Sequence, residues 1–153
     1  MVKFLIVGLG SMGKRRIRNL MALDEREIIA FDPRADRRQE AIDRYKIRVC
    51  ESIDDGIAAE PDALIISTPP DQHTPYALLA VRQGKHFFTE ASVLDDGLAE
   101  LEAESQRQDV VAAPSCTMRF HPAIRKAKEI LDSGTMGRVL AFTHHFGEYL
   151  PRW

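Results

Sequence analysis

The sequence predicts an α/β fold: a doubly wound parallel sheet, followed by the start of a truncated second α+β domain. Three observations carry that prediction: short, unbroken apolar runs, helical patterns between them, and a change of rhythm near residue 115. Unbroken apolar runs suit parallel strands buried on both faces. Alternation with helices argues for parallel pairing, because a parallel neighbour is reached only through a crossover.

The first run, Phe4 to Val7, leads into Gly8-Leu9-Gly10-Ser11-Met12-Gly13. A helical pattern follows, with Gly13, Ile17, Leu20 and Met21 on one face. A second run, Ile28 to Phe31, delivers Asp32, nineteen residues past Gly13. This is the layout of a dinucleotide-binding βαβ unit. Gly8 permits the turn, Gly10 lets the backbone approach a pyrophosphate, and Gly13 lets the helix sit close to the sheet. Gly8, Gly10, Ser11, Met12 and Gly13 are therefore expected to hold the pyrophosphate, at a helix N-terminus that favours an anion. Asp32 is expected to accept hydrogen bonds from the adenosine ribose. NAD is favoured over NADP, since a carboxylate near a 2′-phosphate costs about 1 to 4 kcal/mol at close range. Arg34 is expected to stack over adenine or to offset part of that repulsion.

Residues 35–45 read as a polar helix with Ala41, Ile42 and Tyr45 inward and Asp36, Arg37 and Arg38 outside. Residues 47–50 read as a third strand, and Ser52 opens a capped turn. The run Ala63 to Ile66 ends in Ser67-Thr68-Pro69-Pro70, where parallel sheets bind ligands. Those four residues are expected to flank the nicotinamide, with the prolines as a stiff wall. Asp71 is a candidate N-cap for a helix reaching Gln83, with Gly84 at its C′ position. His73 either touches the cofactor or caps that helix. Residues 85–89 form the next strand and end at Glu90, which either orients the nicotinamide ribose or pairs with a nearby base. Leu94, Leu98 and Leu101 recur at helical spacing, and residues 110–113 read as a short strand. Lys14, Arg15, Arg16 and Arg18 read as a solvated helix face.

Past residue 115 the pattern changes. Pro122 opens a helix with Ile124, Ala127, Ile130 and Leu131 on one side, and Gly134 and Gly137 break it. Residues 138–146 read as a strand without a partner in the first sheet, expected to pair with another copy and so to make a homo-oligomer. The expected division is a nucleotide-binding domain over 1–120 and the beginning of a substrate or oligomerisation domain over 121–153. In 153 residues, 44% apolar content supports a packed core, and a net charge of −2 gives no pull toward nucleic acid. No apolar stretch approaches the roughly 20 residues of a membrane span. Cys50 and Cys116 form no framework, which points to a reducing cytoplasm, and no Cys/His spacing suggests a metal.

In order along the chain stand Gly8 to Gly13, Ser67-Thr68-Pro69-Pro70-Asp71-Gln72-His73, Gly84-Lys85-His86 before Glu90, and Met118-Arg119-Phe120-His121-Pro122. This series resembles the Gfo/Idh/MocA family of oxidoreductases over essentially the whole chain. The resemblance implies a Rossmann domain followed by a larger, mostly antiparallel domain. It also implies hydride transfer between nicotinamide and a secondary alcohol or ketone of a sugar, cyclitol or similar small molecule. Where that family usually reads Glu-Lys-Pro, this chain reads Glu90-Ala91-Ser92. The lysine is implied to support proton transfer, and Ala91 has no titratable group. The family's other acid/base residues would lie beyond Trp153, so no catalytic residue is identified and the chain alone is expected to be inactive. The alternative is an NAD(P)-binding module without chemistry.

Overall fold

A computed structural model describes residues 1–91, 94–145 and 147. The chain divides into two compact units, Met1–Ser115 and Cys116–Trp153. In the first unit the six strands are β1 (Phe4–Val7), β2 (Ile28–Phe31), β3 (Arg48–Cys50), β4 (Ala63–Ile66), β5 (His86–Thr89) and β6 (Ala112–Pro114). They form one sheet in the order β3-β2-β1-β4-β5-β6, and every pair is parallel. The helices between them are α1 (Ser11–Ala22), α2 (Ala35–Tyr45), α3 (Ile53–Ala58), α4 (His73–Arg82) and α5 (Leu98–Gln108).

Successive residues of a strand point to opposite faces, so one apolar run feeds two cores. Leu5, Val7, Ile29, Phe31, Leu64 and Ile66 pack with Ala77, Ala80 and Val81 of α4 and Leu101 of α5. Ile6, Ile28, Ala30 and Ile65 pack with Ile17 and Leu20 of α1 and Ala41 of α2. This is why the central strands lack polar alternation. Among the described residues no helix is long and apolar enough to cross a membrane.

The register positions the site. Val7 is level with Phe31 on one side and Ile66 on the other, and Ile66 is level with Thr89. Gly8, Asp32, Ser67 and Glu90 are therefore each the first residue past a strand, on one edge of the sheet. The ladder runs one step further there: the Gly8 amide donates to Phe31 at 2.8 Å, Ser67 to Val7 at 2.8 Å and Glu90 to Ile66 at 3.2 Å.

Several local expectations change. Asp71 does not cap α4: it lies in a 3-10 turn, Pro70–Gln72, and α4 starts at His73 with Gln72 as an N-cap that makes no side-chain capping bond. Pro70 at the head of that turn starts the backbone winding before the helix. At the other end Gly84, at φ +63°, follows Gln83. The Gly84 amide reaches Val81 and that of Lys85 reaches Ala80, closing the helix as expected of a C′ glycine. Ile42 is 40% exposed rather than inward, because Ala41 and, four residues on, Tyr45 meet the sheet core while Ile42 is turned a further 100° or so around the axis.

In the second unit a 3-10 turn, Thr117–Phe120, precedes α6 (Pro122–Asp132). The His121 Nδ1 accepts from the Ala123 amide at 3.2 Å, which caps the helix beside its leading proline. None of the residues of α6 is buried. The strand expected over 138–146 does not form within residues 138–145, and Phe146 lies outside the described residues. No described residue pairs with that segment, and an extended run without a ladder partner has nothing to hold it as a strand. His144 and His145 are thus not strand neighbours; the Phe142 and His144 rings stack at 6.3 Å. Of the segment 147–153, only Gly147 is described.

Candidate nucleotide-binding site

The site begins at the turn out of β1. Gly8 has φ +93°, and a Cβ there would stand 2.7 Å from the Ser67 carbonyl oxygen. A Cβ on Gly13 would stand 1.8 Å from the carbonyl oxygen of Gly8, so only glycine lets α1 start this close to the strand. Gly10 is different. Its φ is −69°, and the nearest atom to an added Cβ would be Arg37 Nη1, 3.9 Å away. The protein itself does not require glycine at position 10. The space above it is open, as close approach of a pyrophosphate would need.

Gly10 is the N-cap of α1, with no side-chain cap bond and no acidic residue in the first turn. The leading amides of the helix, Ser11, Met12 and Gly13, have no intrahelical acceptors, and the helix dipole adds positive potential. An anion fits there, so these residues suit the diphosphate of a dinucleotide.

Asp32 fastens this turn from the end of β2. Its carboxylate is almost wholly buried: Oδ2 accepts from the Leu9 amide at 2.7 Å and Oδ1 from the Arg34 amide at 2.9 Å. Arg37 Nη1 stands 3.4 Å from Oδ2, and Arg38 Nη1 donates to the Asp32 and Pro33 carbonyls at 2.9 and 3.0 Å. The expected ribose acceptor is thus also a brace for the glycine turn. The Arg34 side chain turns outward to Asp36, at 2.6 and 3.1 Å. That hydrogen bond raises the Arg34 pKa and lowers that of Asp36. Across the sheet edge, burial raises the phenol pKa of Tyr76, and the Asp32 charge adds to the effect.

At the end of β4 the Ser67–Pro70 segment is held by His73. The ring Nε2, as donor, lies 2.9 Å from the Thr68 carbonyl oxygen, with the ring 3% exposed. His73 therefore neither caps α4 with its ring nor faces open solvent; it braces the segment from below. Ser67 Oγ, Thr68 Oγ1 and His73 Nδ1 are buried and make no hydrogen bond. Pro69 and Pro70 are exposed at the rim. Of the two readings of Glu90, pairing with a base is what the geometry contains. Arg16 Nε and Nη2 grip its carboxylate at 2.8 and 2.9 Å, and the guanidinium lies 4.6 Å above the Phe88 ring. Ala91, next in the chain, is exposed.

The basic stretch on α1 is less free than its pattern suggested. Lys14 pairs with Glu40, Arg16 with Glu90, and Arg18 Nη1 donates to Tyr45 Oη at 3.1 Å. Arg37 is the site residue that sequence reasoning left outside. Its pattern places it on the solvated face of α2, yet five residues past Asp32 is within the first turn of a helix that starts at Ala35. Among the described residues no group of three or more His, Cys, Asp or Glu side chains could hold a metal ion.

Residues 2–113 match the family model described as an oxidoreductase family with an NAD-binding Rossmann fold. Inositol 2-dehydrogenase 3 of Saccharopolyspora erythraea is 30% identical over 141 residues, 88% of this chain and 42% of that protein. The crystal structure of scyllo-inositol dehydrogenase from Lactobacillus casei, with bound cofactor NAD(H) and scyllo-inositol, aligns with a TM-score of 0.80 at 25% identity, covering 90% of this chain and 42% of that one. The WlbA dehydrogenase of Bordetella pertussis, in complex with NADH and UDP-GlcNAcA, shares the fold at a TM-score of 0.83 and 22% identity, covering 90% and 42%. The chain spans about two-fifths of the length of the curated relatives it matches. It belongs to the Gfo/Idh/MocA oxidoreductase family, and residues 2–113 form the NAD-binding Rossmann fold of that family.

Proposed function

We propose that this chain binds a nicotinamide dinucleotide across the C-terminal edge of its sheet and serves an oxidoreductase as the cofactor-holding portion. The observation that carries this reading is the glycine turn. Two glycines are required by the protein's own packing, and the third faces open space beside uncapped helix amides. Ser11, Met12 and Gly13 amides would bind the diphosphate. The rim of Asp32, with Arg34 beside it, would take the adenosine ribose, and Ser67 to Pro70 the nicotinamide end. NAD(H) is the preferred form on this reading, because a carboxylate ends β2. Bound there, the nicotinamide would supply hydride exchange.

The substrate class proposed is a sugar, cyclitol or similar secondary alcohol, supported by the inositol dehydrogenases among the relatives. Residues 121–153 would then begin a substrate domain after a nucleotide domain over 1–120. Two free cysteines suit a reducing cytoplasm. Titrating NADH into the chain by calorimetry, alongside Gly10→Val, tests the reading. Binding is expected for the native chain, with a loss of at least about tenfold in the variant, whose side chain fills the diphosphate space. No association with any nicotinamide nucleotide would overturn it.

A second reading, a binding module without chemistry, is favoured by one observation. Ala91 occupies the position where the family resemblance implies lysine, and the neighbouring Glu90 is already committed to Arg16. A screen of sugars and cyclitols that follows the reduced-nicotinamide absorbance separates the two. Turnover by this chain contradicts the module.

A further inference from the structure

Asp32 and the arginines after it bear on which nucleotide the site admits, given the reading above that the β1–α1 turn holds a nicotinamide dinucleotide. The carboxylate that would repel a 2′-phosphate is turned into the protein. Its side chain is 2% exposed, and each oxygen already accepts a backbone amide, from Leu9 and from Arg34. Arg37 Nη1 stands 3.4 Å from Asp32 Oδ2 and 3.9 Å from where a Gly10 Cβ would be. Its guanidinium thus borders both the carboxylate and the open space of the turn, with 38% of the side chain in solvent. At the same corner the Arg34 side chain is 59% exposed and paired with Asp36, and Arg38 is tied to two carbonyls. Three guanidiniums and two carboxylates therefore share this corner, and one of the carboxylates is buried.

We infer that the adenosine end accepts NADP(H) nearly as well as NAD(H), and that Arg37 is the residue that decides it. A cation this close offsets the field of Asp32, so the carboxylate's repulsion of a 2′-phosphate is largely cancelled at the rim. The planar guanidinium fork also matches a phosphate, as arginines beside this ribose do where NADP is used. The preference for NAD(H) that a carboxylate at the end of β2 confers is correspondingly narrow.

Calorimetric titration of NADH and NADPH into the chain, R37A and R37K at low salt tests this, with circular dichroism and thermal melting as fold controls. For the native chain the two dissociation constants fall within about tenfold of each other. R37A weakens NADPH by about tenfold or more and NADH by less than about threefold, and R37K, which keeps the charge without the fork, falls between. NADPH binding more than about a hundredfold weaker than NADH in the native chain overturns the inference but leaves the nucleotide site standing. So does an R37A effect that is equal for both nucleotides or absent for NADPH. Failure of both nucleotides to bind removes the site itself, and the inference with it.

Discussion

The two ends of the proposed cofactor track are built differently. At the β1–β2 end, the polar side chains that shape the turn have partners: Asp32 is tied to Leu9 and Arg34, and Arg38 to two carbonyls. At the β4–β5 end, Ser67 Oγ, Thr68 Oγ1 and His73 Nδ1 are buried without partners, and Glu90 is occupied by Arg16. Buried polar atoms without partners are costly and call for a bridging water, a ligand or a group from elsewhere. The difference teaches that the β1–β2 end, where we propose the adenosine and diphosphate sit, is internally braced, while the end proposed for the nicotinamide is short of polar partners.

The sharpest way to break this comparison is to separate fold from binding within the glycine turn. Gly13→Ala drives a methyl group into the Gly8 carbonyl and is expected to lower stability by about 3 kcal/mol or more, read by urea denaturation. Gly10→Ala should leave stability within about 0.5 kcal/mol and yet weaken NADH at least about tenfold. Unimpaired binding by Gly10→Ala would show that the open space is not the diphosphate seat.

Asp32→Ala comes next. It leaves two amides at the turn without acceptors, and a loss of about 2 to 3 kcal/mol is expected in urea even without nucleotide. No measurable change would mean that the carboxylate braces nothing. At the other end, Glu90→Gln should cost about 1 kcal/mol, since the pair with Arg16 is mostly but not wholly buried. A loss as large as that of Asp32→Ala would erase the contrast between the two ends.

The smallest effect expected is one of rate. Cys50 is buried, and burial raises its thiol pKa, so a thiol reagent should label the exposed Cys116 first. Equal labelling rates at neutral pH would show that β3, at the sheet edge, opens readily.

Much of the sheet is legible in the sequence. Phe4–Val7, Ile28–Phe31 and Ala63–Ile66 are the strands the apolar runs delimit, because a strand buried on both faces leaves no polar position to blur its ends. The glycine turn was legible for a related reason: its geometry tolerates one residue type at positions 8 and 13. What was not legible depends on contacts between distant segments. Arg16 has the composition of a solvated face, yet its partner Glu90 is 74 residues away. Arg37 likewise needs the turn of β1 beside it. The expected strand does not form over 138–145 for the opposite reason: a local pattern favours extension, but among the described residues no pairing partner, which sequence pattern does not contain, lies against it.

The in-register edge has a consequence for how this protein tolerates change. Gly8, Asp32, Ser67 and Glu90 are each fixed one position past a strand whose partners are level with it. Adding or deleting a single amino acid inside β1, β2 or β4 would rotate the following residue to the opposite side and exchange the two cores' side chains. Length variation in this lineage should therefore be confined to the helices' far ends and the loops at the bottom of the sheet, while the top row keeps its spacing.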